Sequence, residues 1–323
     1  MSSPALDASA VVVDRAGATA PVRSGRPDVA VVVVTFESRR EVGRCLGSIE
    51  GAAPGVALET WVVDNASRDG TADYVASAFP RVRLRRNSRN LGFASAANAA
   101  IRASRGRHVL LLNPDAWLEP RALERLLRYL DMRPEVGIAG ARIYDDESRR
   151  SIQPSCRSFP TLAQALFHRG SLATRLLPTN PWSRRYLRSD FDHARAQPVD
   201  WVAFSCALAR RAVFEEIGLL DEGFFLYCED VDFCRRARKA GLGIHYVSEA
   251  ECVHPGGRSA RSARLRSLVA RHRSLWRYYR KHMGGPARLL APAVLAGLFG
   301  RAALQFGLLG ASRLLDSRDA RRG

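Results

Sequence analysis

The stretch "VAVVVVTFESRREVGRCLGSIE", residues 29–50, decides the fold. Val29–Thr35 is an almost unbroken β-branched run, the pattern of a parallel strand buried on both faces. A helix is predicted over Arg39–Glu50. The same order, strand then helix, recurs downstream. "LETWVVDN" (58–65) precedes "TADYVASAF" (71–79), with Thr71 as a candidate N-cap. "RVRLRRN" (81–87) precedes "GFASAANAAIRAS" (92–104), and "RHVLLLN" (107–113) precedes "PRALERLLRYLDM" (120–132).

Four consecutive β–α units predict an α/β fold: an open, mostly parallel sheet flanked by helices. Such sheets bind ligands in the crevice at the carboxyl ends of their strands. The polar residues that end the strands are therefore the site candidates: Thr35 and Glu37, Asp64 and Asn65, Asn90, and Asn113 and Asp115. Residues 145–200 lose the pattern and read as a long lid or loop insertion. It returns with "VDWVAFSCALAR" (199–210), the helix "RAVFEEIG" (211–218), a helix from Glu229 to about Ala240 stopped by Gly241, and the strand "GIHYVS" (243–248).

Several function classes are disfavoured at this stage. The first β–α unit has no G-x-G-x-x-G, which counts against a nicotinamide dinucleotide site. The six cysteines form no C-x-x-C pair and no zinc-like spacing, so reduced thiols are expected. Residues 1–27 lack the pattern of a secretory leader and read as a disordered tail. The net charge is +18, of which residues 258–323 contribute +13 from 15 Arg and Lys against two Asp.

Each candidate has a plainer alternative. Asp64, in "WVVDNASRDGT" (61–71), can accept hydrogen bonds from a base or ribose, or the loop is simply a turn stabilised by Asx-type bonds from Asn65 and Asp69. Asn90 and Gly92 precede a helix N-terminus that could admit an anion or sugar. Asp115, in "LLLNPDAW" (110–117), could be one of the few carboxylates that a cation bridging a diphosphate needs, or a helix-terminal acid. His254, in "ECVHPGG" (251–257), is a ligand only if it meets Asp115; otherwise it is a structural hydrogen-bonder.

Taken together and in order, "VVVVTFES", "VVDNASRDGT", "NLGFASAAN", "LLLNPD", "GLLDEGFFLYCEDVDFCRRARKAG" and "VHPGG" resemble the inverting family 2 glycosyltransferases of the GT-A fold. Within that family the likeness is greatest to a bacterial rhamnosyltransferase-like group, and it runs from about Val29 to Ser259. The resemblance implies a nucleotide pocket lined by Thr35, Glu37, Asp64 and Asn65, with Asp64 on the base edge. It puts Asn90, Gly92 and Asn113 beside the donor, and Mg²⁺ or Mn²⁺ on the diphosphate, held by Asp115 and His254. Many relatives have Asp where this chain has Asn113, which leaves the metal dependence open. Trp201 and Ser205 would lie on the acceptor side, although Trp201 reads equally well as a core residue.

Inversion at an anomeric carbon needs a base for the acceptor hydroxyl, charge neutralisation on the leaving diphosphate, and in-line positioning. The helix from Glu229 supplies three acids in its first turn and four basic residues later, as its dipole favours. Asp232 can pair with Arg235 or Arg236. Asp230 faces away from the Glu229–Asp232 side, and the resemblance also implies Asp230 as base, with Glu229 the fallback.

Near the C-terminus, arginines interleave with Trp276, Tyr278 and Tyr279, ahead of "LLAPAVLAGLFGRAALQFGLLGA" (289–311). Arg301 and Gln305 interrupt the apolar run, so an amphipathic helix on an anionic membrane surface is favoured over nucleic acid as partner. The expected organisation is a tail (1–27), a glycosyltransferase domain (28–257) and a basic membrane-associating extension (258–323). The expected activity is transfer of L-rhamnose from dTDP-rhamnose to a lipid-linked (polyprenyl-diphosphate) saccharide, at the cytoplasmic face of the membrane. A UDP-sugar donor, and a catalytically silent membrane-binding module, are the alternatives. Self-association into a homo-oligomer stays open.

Overall fold

The structure is a computed structural model that describes residues 11–13, 25–161, 191–255, 264–300 and 302–303. Its strands are β1 (Val11–Val13), β2 (Val29–Thr35), β3 (Leu58–Asp64), β4 (Arg83–Arg86), β5 (His108–Leu112), β6 (Trp117–Leu118), β7 (Val136–Tyr144), β8 (Cys156–Arg157), β9 (Gln197–Pro198), β10 (Trp201–Val202), β11 (Cys206–Arg210) and β12 (Gly243–Val253). Its helices are α1 (Val42–Ala52), α2 (Thr71–Ala78), α3 (Phe93–Ala103), α4 (Ala122–Asp131), α5 (Arg211–Ile217), α6 (Glu229–Lys239) and α7 (Arg264–His282).

The main sheet runs β1-β4-β3-β2-β5-β11-β7-β12-β6. Strands β4, β3, β2 and β5 pair in parallel, as do β7 and β12, and β11 runs against both of its neighbours. Two parallel blocks thus join across one reversed strand and point the same way, so their carboxyl ends share one edge. The expected α/β class with an open, mostly parallel sheet is what the chain adopts.

Strand β2 is buried along its whole length because helices cover both sheet faces. Val29, Val31 and Val33 face a core that includes Val42, Leu46 and Ile49 of α1 and Leu123 and Leu126 of α4. Val32 and Val34 face Ala97 and Ile101 of α3, with Phe214 of α5 and Phe233 of α6 further along. Strand periodicity thus divides one valine run between two cores. All six cysteines are buried and free.

Some local expectations change. Helix α1 starts at Val42 because residues 39–41 form a turn, with the Glu41 and Val42 amides both donating to the Ser38 carbonyl. Thr71 is the first residue of α2, not its cap; Gly70 precedes it with φ 82°, and Asp69 Oδ1 accepts the Thr71 amide at 3.0 Å. Within the segment read as a disordered tail, Val11–Val13 pairs antiparallel with Leu84–Arg86 at the sheet edge.

The 258–323 segment is not a single unit. Helix α7 packs into the body of the fold, with Ser274, Tyr278 and Tyr279 buried. Asp221 pairs with Arg277 (2.7 Å) and Lys281 (2.6 Å), and buried Asp232 with Arg236 (3.0 Å), Lys281 (2.8 Å) and His282 (2.7 Å). The boundary expected at 257 therefore cuts off a helix that the domain uses. Beyond it lie a short 3₁₀ turn, Gly285–Leu290, and a helix over 291–300, with Leu289, Leu290 and Phe299 exposed. No helix among the described residues is long and apolar enough to cross a membrane. Residues 162–190 of the lid expected in 145–200, and residues 301 and 304–311 of the expected amphipathic helix, lie outside the described residues.

Candidate active site

A cavity of about 380 Å³ opens at the shared carboxyl edge. Thr35, Asn65, Asn90, Gly92, Asn113, Asp115 and His254 line it, together with Ser38, Phe225, Tyr227 and, from α7, Arg266, Ser267 and Ala270. Seven of the sequence candidates, from five separate strand ends and loops, thus meet around one space.

The loop after β3 is built around Asp64. Its carboxylate accepts the Thr35 hydroxyl (2.9 Å), the Ser67 hydroxyl (2.6 Å) and the Ser67 amide (3.0 Å), and is buried. Glu37, at φ 53°, accepts the Arg68 amide at 2.8 Å. Neither side chain lines the cavity, contrary to the pocket expected from Thr35, Glu37 and Asp64. Both carboxylates are engaged in tying the β2 and β3 loops together. Asn65 continues this framework by donating to the Gly92 carbonyl (3.1 Å) and accepting from Asn87 (2.9 Å).

Gly92 is required by geometry. Its φ is 83°, and an added Cβ would stand 2.5 Å from the Phe225 carbonyl oxygen. That carbonyl accepts the Phe93 amide at 2.8 Å, so the start of α3 and the loop before α6 are held against each other. The same loop puts Tyr227 and Cys228 in succession at φ 71° and 68°. Two adjacent non-glycine residues in the left-handed region mark a strained segment, as functional sites often hold.

On the opposite wall, His254 Nε2 lies 3.1 Å from Asp115 Oδ1 and 3.3 Å from Asn113 Nδ2. Asn113 therefore presents its amide nitrogen, not its oxygen, to the histidine. Two cis ligands at about 2.1 Å from an octahedral ion stand ~3.0 Å apart, so the Asp115–His254 pair fits a divalent cation. Among the described residues no group of three or more His, Cys, Asp or Glu gathers as a metal site. A cation here would complete its shell with phosphate oxygens and water.

Glu229 and Asp230 open α6, two and three residues beyond Tyr227. Burial raises the Glu229 carboxyl well above its ordinary range, with the Asp230 charge adding to the effect. Among the described residues Glu229 Oε2 has no hydrogen-bond partner. Burial also raises Asp230, to about 6, moderated by backbone amides including that of Val231 at 2.8 Å. Asp232 is depressed to about 2: burial alone would raise it, and His282, Lys281 and Arg236 outweigh that. Three acids within four positions thus have three different ionisation behaviours.

Trp201 is a core residue whose Nε1 donates to the Ser158 carbonyl at 3.1 Å, and buried Ser205 accepts the Asn113 amide through its carbonyl at 3.0 Å. Neither lines the cavity, and the same holds for Glu229 and Asp230; Trp201 takes the core position that the sequence offered as its alternative. Sequence reading missed Phe225, Tyr227 and Arg266 as wall residues. The aromatic pair directly before "CED" was a usable signal; for Arg266, one arginine among fifteen basic residues, there was none.

The sequence model of the family described as "Glycosyltransferase like family 2" matches residues 27–282, ending where α7 ends. A Mycobacterium tuberculosis (strain CDC 1551 / Oshkosh) protein named N-acetylglucosaminyl-diphospho-decaprenol L-rhamnosyltransferase is 32% identical over 258 residues, covering 76% of this chain and 82% of its own. The Escherichia coli (strain K12) rhamnosyltransferase WbbL is 27% identical over 173 residues, covering 53% and 61%. Among solved structures, the mannosyltransferase PcManGT from Pyrobaculum calidifontis, in complex with GDP-Man and Mn²⁺, superposes with a TM-score of 0.54 at 20% identity, covering 93% of this chain and 82% of that one. The matched span, the shared sheet architecture and a cleft at the strand ends agree: the chain belongs to glycosyltransferase family 2, with the GT-A fold, and is a glycosyltransferase.

Proposed function

We propose that this enzyme transfers L-rhamnose, with inversion, from dTDP-rhamnose to a hydroxyl of a polyprenyl-diphosphate-linked saccharide. The reaction serves cell-wall or surface polysaccharide synthesis at the cytoplasmic face of the membrane. The observation that carries this reading is the 32% identity, over 82% of its length, to a protein named for rhamnosyl transfer to a decaprenyl-diphosphate sugar. The exposed Leu289, Leu290 and Phe299 beyond basic α7 support attachment to an anionic membrane surface.

The donor binds in the cavity, with its nucleoside end against Asn65, Asn90 and the aromatic wall of Phe225 and Tyr227. Asp115 and His254 would hold Mg²⁺ or Mn²⁺, which neutralises charge growing on the diphosphate as it leaves. Arg266 brings a fixed positive charge to the same space. Asp230 takes the proton of the acceptor hydroxyl. A carboxyl with a pKa of about 6 is ionised at neutral pH yet more basic than an ordinary aspartate, as a general base should be. Burial and the neighbouring Asp230 charge both push Glu229 above its ordinary range, which favours Asp230 as the ionised carboxylate of the two.

The test is a donor panel: purified protein, Mg²⁺ or Mn²⁺, a polyprenyl-diphosphate N-acetylglucosamine acceptor, and dTDP-rhamnose beside UDP-sugars. Rhamnosyl product with inverted configuration is expected. Transfer from UDP-sugars alone would overturn the donor, and absence of transfer to any lipid-diphosphate acceptor would overturn the acceptor.

A further inference from the structure

Behind His254, on the ring edge away from Asp115, stands Gln153. We infer that Gln153, backed by Asp145, is a positioning residue that sets the tautomer of His254, placing the proton on Nδ1 and turning the Nε2 lone pair toward Asp115. The inference deepens the reading of Asp115 and His254 as the cation clamp and rests on it.

The chemistry of the partners fixes the direction of each hydrogen bond. Gln153 Nε2 lies 3.1 Å from Asp145 Oδ1 and 3.3 Å from the His254 carbonyl oxygen. Both of those atoms only accept, so the amide NH₂ must point at them. Gln153 Oε1 therefore faces the ring, 3.0 Å from His254 Nδ1. A carbonyl oxygen cannot donate, so Nδ1 carries the hydrogen. Neutral His254 then has its lone pair on Nε2, the atom 3.1 Å from Asp115 Oδ1, where Asn113 can donate to it at 3.3 Å.

The backbone holds this relay in register. The Gln153 amide donates to Ile143 (2.7 Å) and the His254 amide to Tyr144 (2.9 Å), at the carboxyl end of β7. Ser151 Oγ donates to the second Asp145 oxygen at 2.6 Å, which stops the carboxylate from turning away. A histidine whose other nitrogen is fixed by an outer partner is the arrangement that metal sites use to orient a ligand. Bare, the site sets two acceptor atoms, Nε2 and Oδ1, against each other at 3.1 Å. That is an electrostatic arrangement a cation relieves.

The test uses the full chain with ¹⁵N-labelled histidine at pH 9, above the ordinary imidazole pKa of about 6.5. A His254→Ala sample identifies the signal among the seven histidines. In metal-free wild type, Nδ1 should be protonated and Nε2 bare. Gln153→Leu should lose that preference and bind Mn²⁺ with dTDP about ten- to a hundredfold more weakly, with an unchanged circular dichroism spectrum. Gln153→Glu alone should also weaken binding, because two carboxylates then face each other. The exchange Asp145→Asn with Gln153→Glu should recover binding in part, since the asparagine amide donates to the new carboxylate while the His254 carbonyl still lacks its donor. The exchange also keeps the test decisive should Gln153→Leu not fold. Wild-type His254 protonated on Nε2, alone or with Nδ1, overturns the inference, as does a Gln153→Leu protein with the wild-type tautomer and Mn²⁺ affinity. If wild type has the expected tautomer but binds no Mn²⁺, the cation clamp fails while the role of Gln153 stands.

Discussion

Replacing Asp230 with asparagine should make the protein more stable and nearly inactive. Burial raises this carboxyl from 3.8 to about 6, so ionising it in the folded state costs about 3 kcal/mol relative to the unfolded chain. Because the folded pKa lies above the unfolded one, the contribution of the group to stability is fully present below pH 3.8. It is lost as pH rises through 6. Asparagine keeps an acceptor for the Val231 amide and carries no charge at any pH. At pH 7.5 the variant should therefore melt about 6–12 °C above wild type, at ~2–4 °C per kcal/mol for a domain of this size. The gap should close as pH falls from 6 toward 4. Turnover should drop about 10²–10⁴-fold, the usual contribution of a general base. Wild-type turnover, in turn, should lose activity on the acid side with a midpoint near 6. Differential scanning calorimetry at pH 7.5 and 4.5, with initial rates on the same samples, checks both halves. An equal or lower melting temperature at pH 7.5 would refute the buried ion, and undiminished turnover would refute the base.

Asp232→Asn should act in the opposite sense. Its carboxyl is held near 2, so it contributes about 2 kcal/mol that is present above pH 4 and lost as pH falls toward 2. The variant should melt ~4–8 °C lower at pH 7, and a melting temperature equal to wild type would refute the ion cluster as the anchor of α7. Gly92→Ala forces a Cβ against the Phe225 carbonyl at positive φ, costing at least ~1 kcal/mol and raising the donor KM; a wild-type KM would show that the α3 and α6 loops are not coupled. Deleting residues 289–323 leaves the ion pairs of α7 in place and should release the protein from anionic vesicles in a sedimentation assay, while unchanged sedimentation would place the attachment elsewhere.

The β–α alternation was legible because it is local: a β-branched run and a helical repeat each announce themselves within a dozen residues. So were the polar strand ends, since the topology alone gathers them at one edge. Strand direction is another matter. "CALAR" has the same character whether it runs with or against its neighbours, and only pairing with Leu110 and Ala139 reveals β11 as the reversed strand. Long-range satisfaction was also hidden. Nothing near Asp64 announces that Thr35, from the preceding strand, occupies one of its oxygens, so the motif left a ligand contact and a turn equally open. Helix α7 was misread for a similar reason. Its arginines and lysine look like a solvated charge run until Asp221 and Asp232, some fifty residues earlier, are seen to receive Arg277, Lys281 and His282.

Helix α7 also acts as a ruler. Arg266, near one end, borders the cavity, and the exposed Leu289 and Leu290 begin just past the other. Its nineteen residues span about 28 Å at 1.5 Å per residue. If the apolar tail rests on the bilayer as proposed, the length and tilt of this one rod set how far the cleft stands from the lipid headgroups. That stand-off selects acceptors by reach: a growing glycan must lift its free hydroxyl to the height of the cleft. Removing one helical turn would lower that height by about 5 Å, and with it the length of chain the enzyme can extend.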